Sequence, residues 1–160
     1  MKIIFICEIG ANDLTSIITI IRGNEGIKKM TNFLWQARVY YEDTDAGGVV
    51  YHARYLAFFE RARTEMLRQL GVEQHTLLAA HIAFVVRKMN VDYFFPARLD
   101  DLLTIETEMK LCKKASLVLQ QTIKNQHNTI NSQAEVVIAC LDLQRMKPTS
   151  FPQTFLDKFK

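Results

Sequence analysis

Glycine, proline and cysteine are scarce in this 160-residue sequence, with 6, 3 and 3 copies. That scarcity excludes a collagen repeat, a low-complexity linker and a disulfide scaffold. With 49% hydrophobic and 23% charged residues, the chain can bury the core of one globular domain, which excludes a disordered segment. The cysteines Cys7, Cys112 and Cys140 are odd in number and form no Cys-x-x-Cys pair, so neither a disulfide framework nor a zinc site is expected. They read as reduced thiols of a cytoplasmic protein. His52, His75, His81 and His127 lie far apart and none sits one helical turn from another ligand type, so no metal is expected.

Charge of one sign is also lacking. The 20 basic residues against 17 acidic ones leave a net charge of +3, too slight and too scattered for the phosphate-neutralising face that nucleic acid requires. An anionic small molecule fits this balance better than a duplex. No run approaches the roughly 18 apolar residues of a membrane span. The apolar stretches 3–7 and 17–21 are separated by Glu8, Asn12 and Asp13, so neither insertion nor a secretory signal is expected. Residues 1–29 read as an N-terminal extension ahead of a single domain over 30–160. They also admit a misassigned start, because the Glu25-Gly26 codons can carry a purine-rich ribosome-binding signal just upstream of Met30.

What is present begins near Phe33. Residues 35–41 are aromatic and β-branched and predict a strand. Residues 42–48 then crowd turn formers and three carboxylates into an irregular loop. Tyr55, Phe58, Phe59, Ala62, Met66 and Leu70 recur at three- and four-residue steps, which predicts a helix over about 52–70 with Gly71 as its stop. A shorter helix is expected near 73–80. Strands follow at 82–93, at 103–111, where Leu103, Ile105, Thr107 and Met109 alternate with polar residues, at 117–123 and at 135–143. The order predicts an α+β domain, an antiparallel five-stranded sheet with one long helix on one face. A single helix covers only one face, so the sheet's edges and far face call for self-association.

Several strings carry a resemblance: VYYEDTDAGGVVYH over 39–52, YLAFFERARTE over 55–65, FVVRKM over 84–89 and PARLDD over 96–101. Together they closely resemble the hotdog-fold acyl-CoA thioesterases of the 4-hydroxybenzoyl-CoA thioesterase type, and within them the branch associated with the bacterial Tol-Pal system. The resemblance covers about residues 33–152. It implies a hotdog fold, a sheet wrapped around one long central helix, and hydrolysis of an acyl-CoA thioester to free acid and coenzyme A. It also implies an acyl site between two protomers of a homodimer or homotetramer, with Asp45 as the catalytic carboxylate. No cofactor is needed, since coenzyme A is part of the substrate.

The residues allow these roles on chemical grounds. A carboxylate on a loop feeding a helix can attack a thioester carbonyl or deprotonate a water that does. Read alone, Asp45 is more readily a turn or helix-capping residue. Glu42 and Asp43 read as solvated or capping residues. Negative charge building on the carbonyl oxygen needs donors, and the free N–H groups at the helix start supply them. By the resemblance the polarising N–H belongs to about His52, whose side chain either orients Asp45 or water or caps the helix. Gly47 and Gly48 allow close approach to substrate. Tyr41 and Tyr51 are candidates for lining the acyl pocket or for plain packing. Arg87 and Lys88 are candidates for the pantetheine or nucleotide end of coenzyme A, with Lys113-Lys114 a second choice, against a reading of both pairs as surface charge. The competing functions are another hotdog activity such as dehydration, disfavoured because the carboxylate precedes the helix, and a non-catalytic acyl-thioester or lipid-enzyme interaction module. Whether the carrier is coenzyme A or acyl carrier protein is open at this level.

Overall fold

The computed structural model describes residues 32–159, so the expectations for residues 1–29 lie outside the described residues. The elements are β1 (Asn32–Arg38), a 3-10 turn (Tyr41–Asp43), α1 (His52–Gln69), α2 (Gln74–Ala79) and β2 (Ile82–Tyr93). They continue with β3 (Leu102–Cys112), β4 (Ser116–Lys124), β5 (Ile130–Asp142), β6 (Lys147–Pro148), α3 (Gln153–Leu156) and a last 3-10 turn (Asp157–Phe159). All pairings are antiparallel, in the order β1-β3-β4-β5-β2, and the two-residue β6 adds to β5.

The inner face follows from the period of two. Leu103, Ile105 and Thr107 of β3, Leu117, Leu119, Gln121 and Ile123 of β4, and Ala134, Val136 and Ile138 of β5 are buried. Helix α1 supplies the other half of the core through Tyr55, Phe58, Phe59, Ala62, Met66 and Leu67. Phe58 and Phe59 are 1% and 0% exposed, and burying each contributes about 2 kcal/mol. The helix stops where Gly71 turns left-handed at φ 71°, with the Gly71 and Val72 N–H groups closing on the Arg68 and Leu67 carbonyls. Leu70, expected in the apolar stripe, is only partly buried, while Arg63 joins the buried face. Arg63 donates to Gln121 Oε1 at 2.8 Å, and Gln121 in turn donates to Thr107 Oγ1 and the Phe59 carbonyl. Burial pulls the Arg63 guanidinium below its usual range.

Three boundaries differ from the sequence reading. β1 starts and ends three residues earlier than 35–41, because Asp43 folds back to accept the Tyr40 N–H at 2.9 Å and winds residues 41–43 into a 3-10 turn. β5 starts at Ile130 rather than at 135. Its extra length carries Asn131 and Ser132, buried polar residues that break the apolar pattern yet donate to the Phe95 and Asp92 carbonyls. β6 and α3 are additions beyond the expected elements. On the far face Thr104, Glu106 and Glu108 stand beside Lys124, Thr122 and Gln120, with Lys124 bonded to Glu106 at 2.7 Å, so this end of the face is polar, while the neighbouring end carries the apolar row Leu111, Val118 and Val137.

Candidate active site

The segment joining β1 to α1 is built from short, mutually tied turns. The Asp43 carbonyl accepts the Tyr51 N–H at 2.9 Å, and Thr44 pairs with Val50 in an isolated antiparallel bridge. Inside that bridge the Asp45 N–H donates to the Val49 carbonyl and the Gly48 N–H returns to the Asp45 carbonyl, both at 3.0 Å. Gly48 sits at φ 72°, a left-handed conformation that glycine adopts without strain. The loop is then fastened to the β2–β3 connection by a Val49–Arg98 bridge and by the Val50 N–H on the Ala97 carbonyl at 2.9 Å.

Of the three loop carboxylates, two are engaged. Asp43 is 2% exposed, and its carboxylate accepts from the Tyr40 N–H and from Arg54, with Arg54 Nε at 2.7 Å. Asp43 is therefore a buried capping residue in an ion pair rather than a solvated one. Glu42 is exposed and meets Arg54 Nη2 at 3.2 Å. The hydrogen bond to Asp43 holds the Arg54 guanidinium above its usual range. Asp45 is exposed in the single chain, and among the described residues its carboxylate takes one hydrogen bond, from the Gly47 N–H at 2.8 Å.

The helix tip is bare. Tyr51 is the N-cap residue of α1 but its side chain makes no capping bond, and the N–H groups of His52 and Ala53 have no acceptor among the described residues. The His52 ring likewise has no hydrogen bond among the described residues; it lies 4.3 Å from the Tyr51 ring and 6.5 Å from the Tyr93 ring, centroid to centroid. Beside the tip is an open cavity of about 270 Å³ lined by Val50, His52, Tyr55, Tyr93, Phe94, Phe95 and Pro96. Tyr93 closes one wall by donating its hydroxyl to the His52 carbonyl at 3.2 Å and by standing edge-on to Tyr55. Tyr55 is buried and its hydroxyl accepts the Ala97 N–H at 2.9 Å. Burial pushes the Tyr55 phenol up.

Tyr41, Asp45, Gly47, Gly48, Tyr51 and His52 thus share one loop and helix tip, but of these only His52 lines the cavity. Tyr41 and Tyr51 are exposed, at 81% and 46%. Gly47 and Gly48 act on the loop itself, one under the Asp45 carboxylate and one at the left-handed turn. Arg87 and Lys88 are exposed on β2, where a register shift between Val86 and Lys88 leaves Arg87 outside the ladder. They stand on the sheet's edge strand, away from the cavity lining. Arg54 and the aromatic wall were not foreseen. The run Tyr93-Phe94-Phe95 before Pro96, too aromatic for the end of a strand facing water, was the available signal for the wall.

Among the described residues no three His, Cys, Asp or Glu side chains gather as metal ligands, and no helix is long and apolar enough to cross a membrane. The family model described as the thioesterase-like superfamily matches residues 39–159. The chain is similar to an acyl-CoA thioester hydrolase, YbgC, of Escherichia coli O6:H1, with 55% identity over 130 residues, 81% of this chain and 97% of that protein. It is 54% identical over 123 residues to an acyl-CoA thioesterase, YbgC, of Haemophilus influenzae, covering 76% of this chain and 89% of that one. Among solved structures, a 1,4-dihydroxy-2-naphthoyl-CoA thioesterase from Synechocystis shares the fold at a TM-score of 0.76, with 21% identity over 80% of this chain and 95% of that chain. A match of this extent, over the loop, the long helix and the sheet together, makes the chain a member of the thioesterase-like superfamily.

Proposed function

We propose that the chain is an acyl-CoA thioester hydrolase in which Asp45 carries the chemical step at the uncapped N-terminus of α1. The observation that carries this reading is the contrast within the loop: Asp43 and Glu42 are bound to Arg54, while Asp45, on the stretch that leads into α1, has a carboxylate oxygen with no hydrogen-bond partner among the described residues, where the first N–H groups of the helix likewise lack acceptors. The activity itself rests on the relatives, both of which are named for acyl-CoA thioester hydrolysis.

The chemistry needs two things at once. The thioester carbon must receive an oxygen nucleophile, and the charge that appears on the carbonyl oxygen must meet donors. Asp45 supplies the first, either by taking a proton from water or by attacking directly to form a mixed anhydride that water then cleaves. The His52 and Ala53 N–H groups, at the positive end of the helix dipole, supply the second. Collapse of the tetrahedral species breaks the carbon–sulfur bond, and the coenzyme A thiolate leaves and takes up a proton. His52 orients Asp45 or the water, Tyr41, Tyr51 and the cavity wall receive the acyl group, and Arg87 and Lys88 meet the phosphates of coenzyme A. No metal or further cofactor enters.

The same reading takes the fold as a hotdog, with the sheet wrapped around α1, and the working unit as a homodimer or homotetramer. Supporting it, β2 is an edge strand with Val86 at 49% exposure, and the aromatic residues that follow, Tyr93, Phe94 and Phe95, are 48%, 51% and 60% exposed. A second copy would cover both and place its side chains against the first copy's loop. A cytoplasmic location follows from the substrate. Replacing Asp45 with Asn tests the centre of the proposal: kcat for acyl-CoA hydrolysis should fall about 100-fold or more with the fold intact. Retained turnover would move the reading to a non-catalytic acyl-thioester module. Comparing hydrolysis of coenzyme A and acyl carrier protein thioesters identifies the carrier.

A further inference from the structure

The loop ahead of α1 sets an electrostatic problem. Glu42, Asp43 and Asp45 place three carboxylates within four residues of one another, ahead of the helix end at which the reaction must build another negative charge. Unscreened like charges there would oppose the oxyanion, and the buried Asp43 is the worst placed because little water reaches it. Other charged and titratable groups surround the loop. Tyr51 precedes α1 as its N-cap residue and His52 begins it, Arg98 lies across the bridge to Val49, Asp100 and Asp101 are bonded through their backbone to Val39, Arg38 donates to the Asp100 carbonyl, and Tyr93 reaches the His52 carbonyl. Among the described residues Arg54 is the one cation bonded to any of the three loop carboxylates.

Its placement is specific. Arg54 gives Nε and Nη2 to Asp43 Oδ1 and also Nη2 to Glu42 Oε1, while the other Asp43 oxygen accepts the Tyr40 N–H. Arg54 stands in the first turn of α1, where a cation is disfavoured by the helix dipole, so helix stability alone does not call for it. The Asp43 carbonyl meanwhile accepts the Tyr51 N–H, so the pair also ties the loop to the start of the helix.

We propose that Arg54 is a positioning residue for thioester hydrolysis: by binding Asp43 and Glu42 it leaves Asp45 as the free carboxylate of the loop and keeps its neighbours' charge off the helix tip. The inference rests on the reading of Asp45 given above. It predicts a kinetic effect that depends on charge balance rather than on the presence of an arginine.

The test compares R54Q, R54K, D43N/R54Q and D45N in the full chain, with steady-state acyl-CoA hydrolysis and thermal unfolding measured on each. R54Q should lower kcat about tenfold or more while KM stays within about threefold, the pattern of an interaction felt in the transition state. R54K, which keeps the charge, should recover most of that loss. D43N/R54Q removes both charges and leaves an acceptor for the Tyr40 N–H, so it should return kcat to within about threefold of the parent. A role confined to holding the structure would lower the unfolding temperature of R54Q, leave kcat of the folded enzyme in place and make the double variant no better than the single. Either an unchanged kcat in R54Q or a double variant as slow as R54Q overturns the proposal. Should R54Q fail to fold, the double variant decides, since a loss of about tenfold there has the same meaning. D45N separates the two claims: turnover retained in D45N sinks the Asp45 reading, whereas an inactive D45N beside a fully active R54Q sinks only the role of Arg54.

Discussion

Gly47 donates its N–H to Asp45 Oδ1 at 2.8 Å, and a Cβ built on Gly47 would stand 3.0 Å from that same oxygen. A Cβ at this position would therefore press on the carboxylate, which would have to give way by a few tenths of an ångström. Gly47→Ala should shift the carboxylate by a few tenths of an ångström and cost about tenfold in kcat, with less than about 1 kcal/mol lost in urea unfolding because the loop is exposed. Gly48→Ala should invert the pattern. Nothing stands near its Cβ, but φ 72° strains any L-residue, so stability should fall by about 1 kcal/mol with a smaller change in kcat. Equal effects of the two substitutions on both measurements would refute the distinction.

The same loop shows how far sequence alone reaches. The alternation from Leu103 to Met109 places β3 within a residue at each end, and the stripe from Tyr55 to Met66 places α1 within one, because both patterns are local and Gly71 marks the helix stop. The start of β5 was hidden because Asn131 and Ser132 look like turn residues. Their partners, Phe95 and Asp92, lie 36 and 40 residues away in sequence. The candidate site divides in the same way. Asp45, the two glycines and the helix start are contiguous and legible as a motif. The pairing of Asp43 with Arg54, eleven residues on, and the wall made by Tyr55 and Tyr93 depend on how the chain returns upon itself.

Arg63 is a cation on the buried side of α1 whose side-chain hydrogen bond goes to a neutral amide, Gln121. Replacing Gln121 with Leu removes that acceptor and also strands the Thr107 hydroxyl. The expected loss is about 3 kcal/mol in urea unfolding. Adding Arg63→Met to that variant takes away the buried charge and should recover more than half of it, since an apolar pair of similar volume has no desolvation to repay. A double variant no more stable than Gln121→Leu alone would show that shape, not charge, governs this layer.

Phe84 on β2, Phe151 and Phe155 on α3 form a ring cluster with centroids 4.9 to 5.0 Å apart. A four-residue helix has too few hydrogen bonds to persist by itself, so α3 is held by this packing. Phe155 is 1% exposed, and Phe155→Ala should cost about 3–4 kcal/mol. Phe84 and Tyr93 are nine residues apart on one strand, or about 30 Å. The variant should therefore keep its kcat at temperatures where it remains folded. A large loss of kcat in the folded variant would mean that the C-terminal segment reaches the site.

Cys140 donates its thiol to the Ser150 carbonyl at 3.5 Å in the core, and burial pushes the thiol up to about 11. In the unfolded chain a cysteine loses its proton near pH ~8.5. Between those values the folded protein holds a proton that the unfolded chain has given up, so rising pH favours unfolding. The stabilising contribution is complete below pH ~8.5 and is lost as pH climbs toward about 11. Urea midpoints measured from pH 7 to 10.5 should fall more steeply for the parent than for Cys140→Ala, whatever the offset between the two at neutral pH. In the same range iodoacetamide should label Cys140 only on the timescale of unfolding, because the reactive thiolate is suppressed and the sulfur is enclosed. Parallel midpoint curves for the two proteins would show that Cys140 titrates alike in the folded and unfolded chains.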